Sequence, residues 1–264
     1  MKRCYDYEEY TFDKPILSVD ATYIIHLIGN GNYDSIIDQL YKFPISKKVY
    51  IVLNKGYKKC KKDPSITKPP LDIIDAYLEV FDHSKYKGNI LILEDDFFFD
   101  DKILEPLHKI NVNQFIKRKE KDEFIYYIGA APIILFPYDG YNYRNICSTG
   151  THSVIYSKKF REKIINKNQD INDWDVYLKS FPSYIYYTPL CYQLFPETDN
   201  SKHWGDHNFI LSFMGLFVRF IIKITNLDKS ISAYSYLYFV SKLWILLFLF
   251  IIWILLTFFI SLKM

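Results

Sequence analysis

The sequence has few of the residues that build disulfide frameworks or zinc sites. Its 264 residues include four cysteines, which are widely spaced and form no Cys-x-x-Cys pair. This spacing gives no zinc motif and predicts reduced thiols in a cytosolic domain. The first residues are polar and lack the apolar core of a secretory signal, so we expect no export through the amino terminus.

The chain also has no large excess of positive or negative charge. The chain carries 33 basic and 30 acidic residues, for a net charge of +3. Nucleic-acid-binding domains usually carry a stronger basic footprint, so we expect no nucleic-acid partner. Internal repeats and low-complexity linkers are also missing, and this favours one large α/β domain with an appendage.

The most informative feature is the segment Asn89–Phe99, in which four aliphatic residues lead into Glu94, Asp95 and Asp96 and then three aromatics. An aliphatic run of this kind predicts a strand buried on both faces of a sheet. Adjacent carboxylates repel one another unless a cation compensates, and oxygen ligands suit Mg²⁺ or Mn²⁺. The alternative is a strand followed by a solvated acidic turn.

Apolar periodicity predicts an alternating series of strands and helices before the acids. Strands are predicted at 21–27 and 49–53, with helical spacing around 36–40 and after Pro69. Such a series predicts an α/β fold with an open, mostly parallel sheet flanked by helices and a ligand at the carboxyl edge of its strands. Later elements are a strand at 124–129, a polar turn and short strand at 148–157, and a helix at 160–165.

A long apolar run, Leu243–Leu262, contains no charged residue. At about 1.5 Å per residue it reaches roughly 30 Å, the thickness of a bilayer core, and predicts a C-terminal transmembrane helix. More lysines precede the run than follow it, so we expect a single-pass anchor with the large domain facing the cytoplasm. The predicted organisation is a domain at 1–207, an interfacial segment and linker at 208–241, and the anchor at 242–264.

Five short motifs in a fixed order resemble the glycosyltransferases of family 25, a GT-A group that includes lipopolysaccharide-building and collagen-modifying sugar transferases. The motifs are Tyr23–Leu27, Leu91–Asp96, Gly150–His152 with Tyr156–Ser157, Asp175–Leu178 and Pro189–Gln193. The chain departs from the usual pattern at His26, where an Asn is typical, and lacks the Ser-Asp-Ile that commonly follows the glutamine. The resemblance implies a GT-A-like fold, a nucleotide-sugar donor and a metal held by the acidic motif.

The candidate site residues follow from these motifs and from their expected positions at strand ends. For the metal we expect Glu94 and Asp96, and GT-A enzymes often add a late histidine, for which His203 and His207 are candidates. For the donor we expect His26, Asn54, Lys55, Asp95, Thr151 and His152, although polar groups at such positions also serve structural roles. The resemblance marks Asp175 as the general base, with Asp173 as its nearest rival, and either could instead cap a helix.

These features predict a membrane-anchored, metal-dependent glycosyltransferase that moves a hexose from a nucleotide sugar, most simply a UDP sugar. The acceptor is a glycan, lipid or protein. One alternative is a metal-dependent phosphoesterase at a membrane, which would need further carboxylates or histidines for a second metal. The other is a catalytically silent anchored scaffold.

Overall fold

The computed structural model describes residues 4–166, 171–193, 220, 223–224 and 231–261. Most of these residues form two sheets and the helices that cover them. The strands are β1 (Tyr5–Thr11), β2 (Ala21–Leu27), β3 (Lys48–Asn54), β4 (Ile90–Glu94), β5 (Phe97–Phe99), β6 (Ile125–Pro137), β7 (Asn142–Tyr156), β8 (Ser183–Tyr186) and β9 (Cys191–Gln193). The helices are α1 (Tyr33–Lys42), α2 (Pro69–His83), α3 (Pro106–Arg118), α4 (Lys158–Ile165), α5 (Trp174–Leu178), α6 (Ile231–Lys242) and α7 (Trp244–Ser261), with a 3-10 turn at Asp101–Leu104.

The predicted alternation of strands and helices before the acids is confirmed. Strand β2 lies between β3 and β4 and pairs with both in parallel. Its side chains alternate between two apolar cores: Ile25 packs in the core that includes α2, and Ile24 packs in the core that includes α1. The carboxyl ends of β2, β3 and β4 therefore meet at one edge of the sheet, where Leu27 lies beside Asn54 and Ile25 beside Glu94.

The prediction of a mostly parallel sheet is wrong, because the seven-stranded sheet is mixed. Its order is β1-β3-β2-β4-β7-β6-β8, and β7 runs antiparallel to β4, β6 and β8. The predicted polar turn near Ser148–Thr151 lies within the 15-residue strand β7. Ser148, Thr151, His152 and Ser153 are buried although they are polar, so this part of β7 lacks the continuous apolar run that predicts a buried strand.

Strand β1 and a disulfide were not predicted. β1 is an edge strand that pairs antiparallel with β3, which places Tyr5 opposite Asn54. This pairing brings Cys4 to the loop that follows β3, where it forms a disulfide with Cys60 across 56 residues of sequence. The prediction of reduced thiols is therefore wrong for this pair, whereas Cys147 and Cys191 are free. Spacing along the chain gave no sign of the bond because strand pairing creates the proximity.

Helix α6 packs against β6, and α7 continues from it with one turn residue between them. Within the described part of the chain, the helical stretch Ser232–Ile254 is long and apolar enough to span a bilayer, and only 11% of its most apolar window is buried inside the protein. This confirms an apolar C-terminal helix of spanning length. Of the predicted interfacial segment and linker at 208–241, residues 231–241 belong to α6, and most of the remainder lies outside the described residues.

Candidate active site

Glu94, Asp95 and Asp96 follow directly from the buried strand β4, as predicted, and all three are half-buried. A turn at Asp95 and Asp96 leads into β5. The three side chains point to different partners, so the acids do not form one solvated cluster. Each therefore has its own role in the site.

Glu94 is fixed by two hydroxyl groups. Its Oε1 accepts hydrogen bonds from Tyr77 Oη at 2.9 Å and from Thr151 Oγ1 at 2.6 Å. Burial is the main cause that raises the pKa of Glu94 from 4.5 to about 7; the nearby carboxylates of Asp175 and Asp95 contribute to this rise, and the two hydroxyl donors oppose it. A carboxyl group with this pKa exchanges a proton, or binds a cation, near neutral pH.

Asp96 has one occupied and one unpartnered oxygen. Its Oδ2 accepts a 2.6 Å hydrogen bond from Gln193 Nε2, while its buried Oδ1 has no hydrogen-bond partner among the described residues. Burial raises the pKa of Asp96 well above its ordinary value, and the charges of Glu94 and Asp95 add to this shift. Leaving a buried carboxylate oxygen unpaired is costly unless another group compensates.

Asp95 holds the loop that follows β2 instead of facing Asp96. Its Oδ2 accepts a hydrogen bond from the Leu27 amide at 3.0 Å and another from the Asn30 side chain. His26 Nδ1 lies 3.2 Å from the same oxygen, so two residues that were predicted to bind the nucleotide-sugar donor contact each other. This arrangement positions the 27–30 loop beside the acidic motif.

Asp175 and Asp173 have different roles in the structure. Asp173 caps α5, because its Oδ1 accepts from the Val176 amide at 2.9 Å. Asp175 instead accepts from the Gly150 amide at 3.0 Å, next to the Thr151 that binds Glu94. Burial raises the pKa of Asp175 to about 6. The capping alternative therefore describes Asp173, and Asp175 is placed beside the acids.

A glycine is required where β7 passes this carboxylate. Gly150 has a φ of +82°, a left-handed conformation that side chains disfavour. A Cβ there would also lie 3.2 Å from His152 Nδ1. His152 itself is fully buried, with Nε2 at 3.5 Å from the Cys191 carbonyl, and burial lowers its pKa to about 4. It is therefore a neutral imidazole at physiological pH.

Asn54 and Lys55, which were also predicted to bind the nucleotide-sugar donor, contact residues other than the three acids. Asn54 donates to Asp72 Oδ2 at 3.0 Å and accepts from the Gly56 amide, so its side chain shapes the loop after β3. Lys55 forms an ion pair with Asp6 at 2.7 Å. His203 and His207 lie outside the described residues.

A divalent cation fits the donor set at the end of β4. The Asp96 Oδ1 atom is buried and has no partner among the described side chains, and the Glu94 carboxyl beside it has a raised pKa. Across the described ranges, no three His, Cys, Asp or Glu side chains converge as a complete metal site. Mg²⁺ and Mn²⁺ accept one or two protein carboxylates and complete their coordination with water and phosphate oxygens. Glu94 and Asp96 are therefore the residues that could hold such an ion.

Three residues of the site were not predicted as such: Tyr77, Gln193 and Tyr234. Tyr77 follows the apolar period of α2 and is indistinguishable in sequence from a core residue. Gln193 ends the last of the five motifs, which was its only signal. Tyr234 Oη lies 3.1 Å from the Gln193 carbonyl and 3.3 Å from its amide, a contact that joins α6 to the site across 41 residues of sequence.

No protein-family model matches this sequence, and no curated protein does. Among solved structures, the crystal structure of A197 from STIV is similar to this chain with a TM-score of 0.42 and 14% sequence identity. The alignment covers 67% of this chain and 86% of that one. Similarity at this level shows neither a fold family nor a function for this chain.

Proposed function

We propose that the protein is a membrane-anchored glycosyltransferase with a GT-A-like fold that uses Mn²⁺ or Mg²⁺ and a nucleotide sugar, most simply a UDP-hexose. The observation that carries the proposal is Asp96, whose buried Oδ1 has no hydrogen-bond partner within the described part of the chain and lies beside a second carboxyl group of raised pKa. A structural acidic turn would expose this oxygen to water or pair it with a donor. Asp96 Oδ1 has neither.

The residues around Asp96 support diphosphate chemistry. When bound, a divalent cation stabilises the charge that develops on a leaving diphosphate. Glu94 and Asp96 would hold that ion, with Glu94 oriented by Tyr77 and Thr151 and Asp96 by Gln193. These fixed orientations keep the carboxylates in place before the donor arrives, so little reorganisation accompanies the reaction.

Asp175 supplies the second part of the mechanism as general base. Its pKa of about 6 leaves it ionised near neutral pH yet basic enough to accept a proton from an acceptor hydroxyl. It borders a small crevice lined by Tyr127, Asn145, Ser148 and Lys179. The Gly150 amide fixes one carboxylate oxygen, and the Thr151 side chain connects the base to Glu94.

The direct test is a donor screen with the purified full chain. The protein is incubated with Mn²⁺, a panel of nucleotide sugars and simple glycan or lipid-linked acceptors, and released nucleoside diphosphate is measured together with labelled product. We expect release from one class of sugar nucleotide only when metal is present. If folded protein releases no diphosphate from any donor but hydrolyses a phosphodiester, the phosphoesterase alternative is correct.

We also propose that the domain faces the cytoplasm, where nucleotide sugars are made, in agreement with the lysines that precede the anchor. The Cys4–Cys60 disulfide is the opposing observation, because disulfides are typical of oxidising compartments. A double substitution of exposed residues, Glu120→Asn with Asp122→Thr, creates an Asn-Lys-Thr glycosylation acceptor on the loop after α3. We expect no glycosylation in eukaryotic cells, and modification would place the domain in the lumen.

A further inference from the structure

The C-terminal helices run along the β6–β7 hairpin toward its turn. Lys242, at the end of α6, donates from Nζ to the Tyr187 carbonyl at 2.6 Å and lies over the Tyr143 ring at 4.9 Å. Six residues further, the Phe248 ring of α7 meets the Phe136 ring of β6 edge-on at 6.1 Å. The far end of the hairpin therefore lies beside the first turns of the apolar helix.

This contact fixes the depth of the hairpin if α7 crosses a bilayer. Phe248 is four residues into α7, which corresponds to about 6 Å of helix rise. The headgroup layers add roughly 5 to 8 Å on each side of the hydrocarbon core. With Trp244 at the water-facing edge of this layer, where tryptophan is enriched, Phe248 and the Phe136 ring against it lie within the headgroup layer.

The exposed side chains at this end of the hairpin suit that depth. Ile133, Tyr138, Tyr141 and Ile146 are each at least 40% exposed although they are large and apolar or aromatic. Tyrosine is enriched where proteins meet the membrane interface, because its ring is apolar and its hydroxyl is polar. An exposed group of this composition is otherwise unfavourable in water.

Basic side chains lie near this end of the hairpin. Lys119 lies 5.5 Å from the Tyr138 ring centre, and Arg144 lies 4.6 Å from the ring centre of Tyr184, which packs against Tyr138. Arg118 is half-exposed and pairs with Asp139 at the turn, and Asp122 pairs with Lys119. With Lys242 over the Tyr143 ring, four cations accompany these two carboxylates. Long basic side chains of this kind extend toward anionic headgroups.

We propose that the end of the β6–β7 hairpin is a membrane-docking surface that lies in the headgroup layer of an anionic bilayer. The surface consists of Ile133, Phe136, Tyr138, Tyr141 and Ile146 with the flanking cations Lys119 and Arg144. The inference rests on the proposed membrane anchor but not on sugar transfer. The domain is then held on the bilayer at two places, the anchor helix and the hairpin.

The test places a fluorescent label at defined positions of the full chain in lipid nanodiscs that contain phosphatidylserine. In a Cys147→Ser background, which leaves Cys191 buried, single thiols are introduced by Tyr141→Cys or Ile133→Cys for the docking surface. Tyr86→Cys, at a fully exposed position after α2, is the matched control. Trp253→Cys reports insertion of α7. Each thiol carries an environment-sensitive dye. Nitroxide lipids labelled near the headgroup serve as quenchers for positions 141, 133 and 86, and nitroxide lipids labelled in the acyl chain serve for position 253.

We expect several-fold stronger nitroxide quenching at positions 141 and 133 than at position 86, and weaker quenching of the first two when phosphatidylserine is replaced by a zwitterionic lipid. Quenching at 253 with none at 141 or 133 would overturn the docking surface and leave the anchor intact. Dye shielding at 141 without lipid quenching would assign the surface to a second copy of the chain and also overturn the proposal. No quenching at 253 would remove the anchor and the docking surface together, whatever the outcome of the donor screen.

Discussion

The side-chain amide of Gln193 donates a 2.6 Å hydrogen bond to Asp96 Oδ2, whereas Asp96 Oδ1 has no partner among the described residues. The two residues are 97 positions apart: Asp96 directly precedes β5, and Gln193 is the last residue of β9, which pairs with β5. The bond fixes the rotation of the Asp96 carboxyl group, so the free oxygen has one direction in which to bind a ligand. Several predictions about the site depend on this orientation.

Asp96→Asn is expected to abolish Mn²⁺-dependent binding of UDP while preserving the fold. The substitution keeps the shape of the side chain and removes the charge that an ion requires, so we expect at least about a tenfold loss of metal affinity. Calorimetric titration with Mn²⁺ and UDP measures it. Asp101→Asn, which alters an exposed carboxylate paired with Lys42, is the control and should bind as the wild type does. Equal binding by both variants would exclude Asp96 as a ligand.

Asp175→Asn is expected to lower turnover by about 10²- to 10⁴-fold and to leave UDP and metal binding unchanged, because a general base acts only in the transition state. Asp173→Asn is the matched control. Asparagine caps a helix about as well as aspartate, so this variant should keep both α5 and activity. If Asp175→Asn retains near-normal turnover, its carboxylate serves only to hold the Gly150 amide.

The metal-free protein is expected to lose stability as pH rises. Glu94 has a folded-state pKa of about 7 against an ordinary 4.5, so between these values the folded chain holds a proton that the unfolded chain has released. Stability from this group is thus full below pH 4.5 and declines as pH rises through 7. Thermal melts should show this decline, and Mn²⁺ should reverse it only at the higher pH.

Glu94→Gln isolates the source of that pH dependence. The variant cannot ionise at this position, so its melting temperature should change less with pH than that of the wild type. If the melting temperature of Glu94→Gln changes with pH as much as that of the wild type, other groups such as Asp96 cause the pH dependence.

Reduction of the Cys4–Cys60 bond is expected to destabilise the domain by about 2 to 4 kcal/mol, the usual range for a loop of this length. Thermal melts with and without a thiol reductant measure the loss. A Cys4→Ser variant should melt at the temperature of the reduced wild type and respond to no reductant. If reduction leaves the wild-type melt unchanged, the bond does not form in solution.

The residues show which parts of this organisation a sequence can predict. Ile90–Leu93 and the helix after Pro69 have strong local patterns, and both were located correctly. The antiparallel β6–β7 hairpin and the edge strand β1 have mixed polarity, so only their pairing defines them. The same limit applies to the site: the acids of β4 form one visible motif, whereas Gln193 and Tyr77 join it only through the fold.

The packing of α6 on β6 has a consequence for an anchored protein. Tyr234 and Tyr238 are fully buried, and the backbone continues from them into α7 without a linker. A flexible tether would let a domain sample a wide range of heights and orientations, but a packed helix allows little rotation. If the proposed anchor crosses a bilayer, the distance between Asp96 and the lipid surface is therefore nearly constant. A transferase held in this way would reach only those acceptor groups that lie at one distance from the bilayer.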